Sequence, residues 1–262
     1  MREFAPKYPT VEHERAAEKV VAFFSQLPDV AAINLTCSCA RGKASRDSCL
    51  DMMVLVQPET PAEQRDRYEQ EWNRYYAEEQ VFRALTRAGK YAEVHLDIID
   101  GNFTPSFHGW TSGPDAFEVE IGNYVAHNVT LWQKGDYLDR LKAKWLPYYD
   151  EELRRERLAM VRKYCINNLD HIPLYIDRGL HFQSFDRFYN AFREFLQALF
   201  ISRRTYPLCY DKWVREQVEE FLGLPELYRQ LPPLFEIRRF ESDALKEKAE
   251  ALAQLLEAYV LD

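Results

Sequence analysis

The alternation of apolar and polar positions divides the chain into two textures. In the first, short apolar runs alternate with amphipathic helices. Residues 11–27 place Ala16, Ala17, Val20, Val21 and Phe24 at helical spacing, which predicts an amphipathic helix. The runs "DVAAINL" and "LDMMVLV" predict two buried strands. Pro58 and Pro61 precede a long helical pattern that closes at Gly89, the expected C-cap. "AEVHLDIID" alternates strictly, with Val94, Leu96 and Ile98 on one face and Glu93, His95 and Asp97 on the other. Residues 101–116, rich in Gly, Pro, Ser and Thr, predict a loop, and "AFEVEI" and "NVTLWQ" are the next strand candidates.

From about Tyr137 the period becomes helical, in "DYLDRLKAKW", "DEELRRERLAMVRKYCINNL", "FQSFDRFYNAFREFLQALFISRR", "DKWVREQVEEFLGL" and "SDALKEKAEALAQLLEAYVL". The stripe Phe188, Phe192, Phe195, Leu196 and Leu199 predicts core, and the charges of "DEELRRERLAMVRK" predict a solvated face. Asp177, Arg178 and His181 are read as polar loop residues, either part of a binding patch or merely structural. The expected fold class is α+β: a small mixed β-sheet domain over residues 1–136, then a helical-bundle domain over 137–262.

Composition fits this picture. Of 262 residues, 47% are hydrophobic and 29% charged, enough to bury a core in each domain. A formal net charge of -8 argues against broad affinity for nucleic acid or an anionic membrane, yet permits a local basic pocket. No apolar run approaches the length of a membrane span, and the first residues lack the apolar core of a secretion signal. With five cysteines, an odd number, the expectation is reduced thiols in the cytoplasm. Cys37, Cys39 and Cys49 lie close together, but their spacing is not the paired C-x-x-C of zinc sites and no histidine stands nearby in sequence.

The candidate chemistry concentrates in "INLTCSCARGKASRDSCLDMMVLV", residues 33–56. A strand, a turn carrying Ser and Gly, and a second strand with an acidic start can hold a phosphorylated ligand. Backbone amides at the turn meet phosphate oxygens, and carboxylates on the strand hold Mg²⁺, which prefers oxygen. Asp97, on the polar face of its strand, is placed to complete such a cage. A hydroxyl acceptor also needs a general base, for which Glu93, His95, Asp97 and Asp100 are candidates. For His95 the simpler reading is an exposed strand residue. Further along, "ISRRTYPLCYDKW" gathers Arg203, Arg204, Tyr206, Tyr210, Lys212 and Trp213, either a triphosphate- and base-binding patch or a helix end with core aromatics.

The stretch resembles the signature of the DNA polymerase β-like nucleotidyltransferase superfamily, and within it the small nucleotidyltransferases that include aminoglycoside adenylyltransferases. Ser38 matches the Ser of Gly-Ser, Ala40-Arg41-Gly42 match "A-R-G", Asp47-Ser48 match the polar lead-in, and Asp51 matches the second metal-binding aspartate. A helical carboxy-terminal domain also fits that family. Two positions depart from it: Cys37 stands for the glycine and Cys49 for the first metal-binding aspartate.

The resemblance implies transfer of a nucleotidyl group, AMP from ATP or another nucleoside triphosphate, to a hydroxyl on a small molecule or protein. It assigns Asp51 to catalysis and Mg²⁺, and Ser38, Arg41, Gly42 and Ser48 to the nucleotide; the strand face adds Asp97 to catalysis and Mg²⁺, the cationic patch adds Lys212 to the nucleotide, and the acceptor is expected between the two domains. A homodimer is compatible with it. The two cysteines support the alternative, a catalytically impaired nucleotide-binding or protein-interaction module on the same fold.

Overall fold

The computed structural model describes residues 5–105, 109 and 112–261. Residues 106–108 and 110–111 of the expected 101–116 loop lie outside the described residues. The chain forms two compact units, one of residues 1–103 and 120–147, the other of 104–119 and 148–262.

In the first unit, α1 (Val11–Phe24) leads into β1 (Val30–Leu35), a single helical turn α2 (Cys37–Ala40) and β2 (Leu50–Val56). Two helices, α3 (Ala62–Glu78) and α4 (Gln80–Ala88), carry the chain over to β3 (Val94–Ile99). The expected single helix over this crossover is therefore two, parted at Glu79, whose ψ of 128° is extended. Gly89 is not a left-handed cap either: its backbone is extended. Glycine stands there because a Cβ would collide with the carbonyl of Arg46 and crowd Asp47.

After residue 116 the chain forms α5 (Phe117–Ile121) and a π-helical turn (Gly122–Ala126), then β4 (Val129–Gln133) and α6 (Tyr137–Trp145). "AFEVEI" was expected as a strand and is helical; its short apolar run could not separate a strand from a buried helix turn. The sheet order is β3-β2-β1-β4, with β1 antiparallel to β2 and β4, and β2 parallel to β3. The architecture is thus α+β, a small mixed sheet with a helical carboxy-terminal region.

One face of the sheet carries Ile33, Leu35, Met52, Val54 and Val56 into a core with Ala16, Val20, Phe24, Trp72 and Phe82. Register places Asn34, Asp51, Met53, His95 and Asp97 on the other face, because Asp51 pairs with His95, and Met53 with both Asn34 and Asp97. Asn34 is fully buried there, and neither amide atom has a hydrogen-bond partner among the described residues.

The second unit is built on α7 (Glu151–Asp177) and α8 (His181–Ser202), with α9 (Pro225–Gln230) and α10 (Ala244–Tyr259). α7 runs on through Pro173 to Asp177 and α8 opens at His181, so of the three expected loop residues only Arg178, the C-cap of α7, lies between helices. "DKWVREQVEEFLGL" yields only a π-helical turn, Glu216–Phe221. The stripe Phe188, Phe192, Phe195, Leu196 and Leu199 is core, as expected.

The charges of α7 are not all a solvated face. Arg154 and Arg157 are 2% and 3% exposed. Arg157 bonds both oxygens of Asp115 at 2.9 and 3.0 Å and both of Glu118 at 2.6 and 2.8 Å. Tyr149 and Gln197 each donate to Glu118 at 2.9 Å. Burial works against the Arg157 charge, but the bonds and charge of Glu118 outweigh it and raise its pKa.

Candidate functional site

The site grows from the end of β1. Thr36 bonds back to β2, its amide donating to the carbonyl of Asp51 at 2.9 Å, and the chain then turns into α2. Cys37 opens that turn with φ of +52°, the left-handed region that glycine occupies freely and a side chain resists. Ser38, only 9% exposed, follows it, and the turn closes through the Lys43 amide on the Ser38 carbonyl at 2.9 Å. Gly42 has φ of +68°, and its missing Cβ is where Lys7 packs. A short helical turn leaves its leading amides without intrahelical acceptors, which suits them to an anion.

Opposite this turn lies the start of β2. Cys49 Sγ donates to Asp51 Oδ2 at 3.2 Å. From the neighbouring β3, His95 Nδ1 stands 3.4 Å from Asp51 Oδ1, and its Nε2 is 3.1 Å from Glu93 Oε1. One ligand atom each from Cys49, Asp51 and His95 lies within 4.8 Å of the others.

Asp97 is not part of that trio. It stands on the same face, at the level of Met53, and its Oδ2 accepts from the Tyr124 hydroxyl at 3.0 Å. Tyr124 comes from the π-helical turn, and burial together with the Asp97 charge raises its pKa. The same turn brings the Asn123 Oδ1 to 3.9 Å from Cys37 Sγ. No pattern in the sequence announced Asn123 or Tyr124, because the segment reads as strand and loop.

Burial, and then the charge of Asp51, pushes all three nearby thiols up: Cys37 to about 11, Cys39 and Cys49 to about 12. Each is thus a neutral thiol at pH 7, and Cys49 acts as a donor to Asp51.

The remaining expected residues have other engagements. The Ser48 hydroxyl accepts from the Ser45 amide at 2.9 Å, closing the bend, while its carbonyl meets His13 Nε2 at 2.9 Å. Arg41 is the half-buried C-cap of α2. Asp100 is held by Arg65 at 2.6 Å and by the Asn102 amide at 3.0 Å. Although burial opposes it, those contacts lower the Asp100 pKa, so it is a poor base. Lys212 belongs to the second unit, where it is exposed and its carbonyl accepts from Gln217 at 2.9 Å. Tyr206 and Tyr210 are buried, and Arg204 pairs with Glu151 at 3.0 Å.

The Mg²⁺ that the resemblance implies can be tested against these donors. A hard cation needs several oxygens, and a bridged pair of ions needs several carboxylates. The converging atoms are one thiol, one carboxylate and one imidazole, so the set does not fit a Mg²⁺ pair.

No protein-family model and no curated protein matches the chain. A solved nucleotidyltransferase-like protein from Exiguobacterium sibiricum 255-15 is similar over 94% of this chain and 74% of that one, at 12% identity and a TM-score of 0.44. The likeness is loose at that score. No helix among the described residues is long and apolar enough to cross a membrane.

Proposed function

We propose that the first unit is a nucleotidyltransferase-type site that binds a nucleoside triphosphate, ATP in the first instance, and passes its nucleotidyl group to a hydroxyl acceptor. The observation that carries this reading is the left-handed backbone of Cys37. The turn keeps the shape a phosphate-cradling glycine would give it although glycine is absent. In this reading the Ser38 hydroxyl and the leading amides of α2 hold phosphate oxygens. Asp97, exposed and steadied by Tyr124, is the carboxylate available to take the acceptor's proton. Cys49, Asp51 and His95 do not suit a Mg²⁺ pair, so the reading rests on the turn and on Asp97.

A second reading is favoured by the Cys49–Asp51 hydrogen bond. A thiol occupies a carboxylate's place and engages the one that remains, as in a module that binds nucleotide without transferring it.

Calorimetry with ATP on the full chain, followed by pyrophosphate release with hydroxyl acceptors, separates the two. Binding that Ser38→Ala weakens, together with turnover, supports transfer. Binding without turnover supports the module, and absence of ATP binding under any metal condition overturns both.

A further inference from the structure

We propose that Cys49, Asp51 and His95 form a binding site for a single borderline-soft divalent metal, Zn²⁺ in the first instance, where the resemblance would place magnesium.

The separations come close to those such an ion needs. Tetrahedral zinc with bonds of about 2.0–2.3 Å to O, N and S holds its ligand atoms about 3.3–3.7 Å apart. Here the neighbours approach the two oxygens of one carboxylate, Sγ at 3.2 Å from Oδ2 and Nδ1 at 3.4 Å from Oδ1, and one ligand atom from each residue lies within 4.8 Å of the others. The donors arrive from two strands whose register is fixed by the parallel pairing of Asp51 with His95. That is why a zinc site sought among Cys37, Cys39 and Cys49 fails on spacing, while one built from Cys49 across the sheet does not.

The ring of His95 is oriented for the task. Nε2 stands 3.1 Å from Glu93 and Nδ1 3.4 Å from Asp51, so the tautomer that donates Nε2–H to Glu93 turns the Nδ1 lone pair to the Asp51 carboxylate. A cation between them turns that opposition into coordination. A carboxylate on the far nitrogen of a ligating histidine is the usual outer support of such sites, fixing the tautomer and strengthening the donor. The competing arrangement is a metal-free ring hydrogen-bonded to the Asp51 and Glu93 carboxylates.

Three protein donors leave a fourth position. The side chains of His95 and Asp51 are 55% and 18% exposed, so that position is reachable from solvent. Binding replaces the thiol proton of Cys49 by the metal and releases that proton to solvent, with no change of oxidation state. The site holds its metal whether or not a nucleotide binds, so it stands or falls separately from the function proposed above.

The test is a Co²⁺ titration of the full chain after chelator treatment. The expected result is one Co²⁺ per chain, with a thiolate-to-cobalt charge-transfer band and intense visible bands of a four-coordinate ion. Zn²⁺ displaces these signals and excess Mg²⁺ does not. Cys49→Ser abolishes the charge-transfer band, and Glu93→Gln weakens Co²⁺ binding by about 10- to 100-fold. Cys49→Asp removes the sulfur signal and shifts the preference towards Mg²⁺. Circular dichroism of each variant establishes that the fold is kept. The proposal is overturned if no cobalt spectrum develops, or if the charge-transfer band persists in Cys49→Ser. A His95 ring that stays free of metal by NMR under saturating Zn²⁺ overturns it equally.

Discussion

In the second unit two buried carboxylates, Asp115 and Glu118, close on the guanidinium of Arg157. In the first, the carboxylate of Asp51 faces a thiol and an imidazole. Both are polar groups gathered on or beside an apolar core, and the difference lies in the counter-charge. Around Arg157 the charges answer one another directly, reinforced by Tyr149 and Gln197. Around Asp51 the partners are a neutral donor and a histidine already engaged by Glu93, next to a strained turn at Cys37 and the unpartnered amide of Asn34. The first arrangement is closed through its charges, although one Arg157 nitrogen and the Gln197 carbonyl oxygen have no hydrogen-bond partner among the described residues. The second keeps a left-handed side-chain residue and a buried amide without a partner, the kind of local strain from which the binding proposals above are argued.

The contrast can be broken most forcefully at Arg157. Arg157→Met leaves two buried carboxylates without their cation, and the expected loss is about 3–5 kcal/mol in urea unfolding. The triple change with Asp115→Asn and Glu118→Gln should recover much of it. A loss below about 1 kcal/mol would mean the charges are already relieved by water or protonation, and the network would not be closed through its charges as described.

A second probe lies elsewhere in that core. Glu194 is fully buried, bonded to Asn168 at 2.9 Å, and burial pushes its pKa from 4.5 up to about 7. The folded protein therefore holds this proton more tightly than the unfolded chain. Its penalty is absent below pH 4.5, accrues up to about 7, and is complete above. At about 1.4 kcal/mol per pH unit, Glu194→Gln should stabilise the protein above pH 7 by something on the order of 3 kcal/mol, with no gain at pH 4. Thermal unfolding across that range is the measurement, and a gain independent of pH would contradict it.

The smallest effect belongs to the first unit. Cys37→Gly should stabilise it by about 1 kcal/mol by relieving the left-handed backbone, the remainder of that strain being offset by glycine's greater freedom when unfolded. If the variant is less stable, the Cys37 side chain, for instance towards Asn123, matters more than its backbone.

Much of the first unit could be read from the chain because its strands announce themselves by period. "MMVLV" is buried without a break, and His95 and Asp97 alternate with Val94, Leu96 and Ile98. Asp51 was equally legible, since the strand it opens fixes its place. The departures have physical causes. The helical period over residues 62–88 carried no mark of the break at Glu79. The five-residue run after Ala116 was too short to distinguish strand from helix. Arg157 was misread as solvated because charge on a helix says nothing of partners, and its partners lie some forty positions away, beyond any local pattern. Locally His95 reads as a half-exposed strand residue for the same reason: its alignment with Asp51 is a property of the sheet.

The close approach of Gly89 to Arg46 has a further consequence, for the order in which the chain assembles. β1 and β2 are joined by a short connection, whereas β2 meets β3 only after α3 and α4 have closed a long loop, with Arg46 and Asp47 bonded to Ala88 and Lys90 at its neck. Closing such a loop costs chain entropy before any pairing rewards it, so the β2–β3 ladder forms late. Cys49 and Asp51 stand on one side of that neck and His95 on the other. An ion held by all three would be a tie across the loop, resisting the first pairing to open.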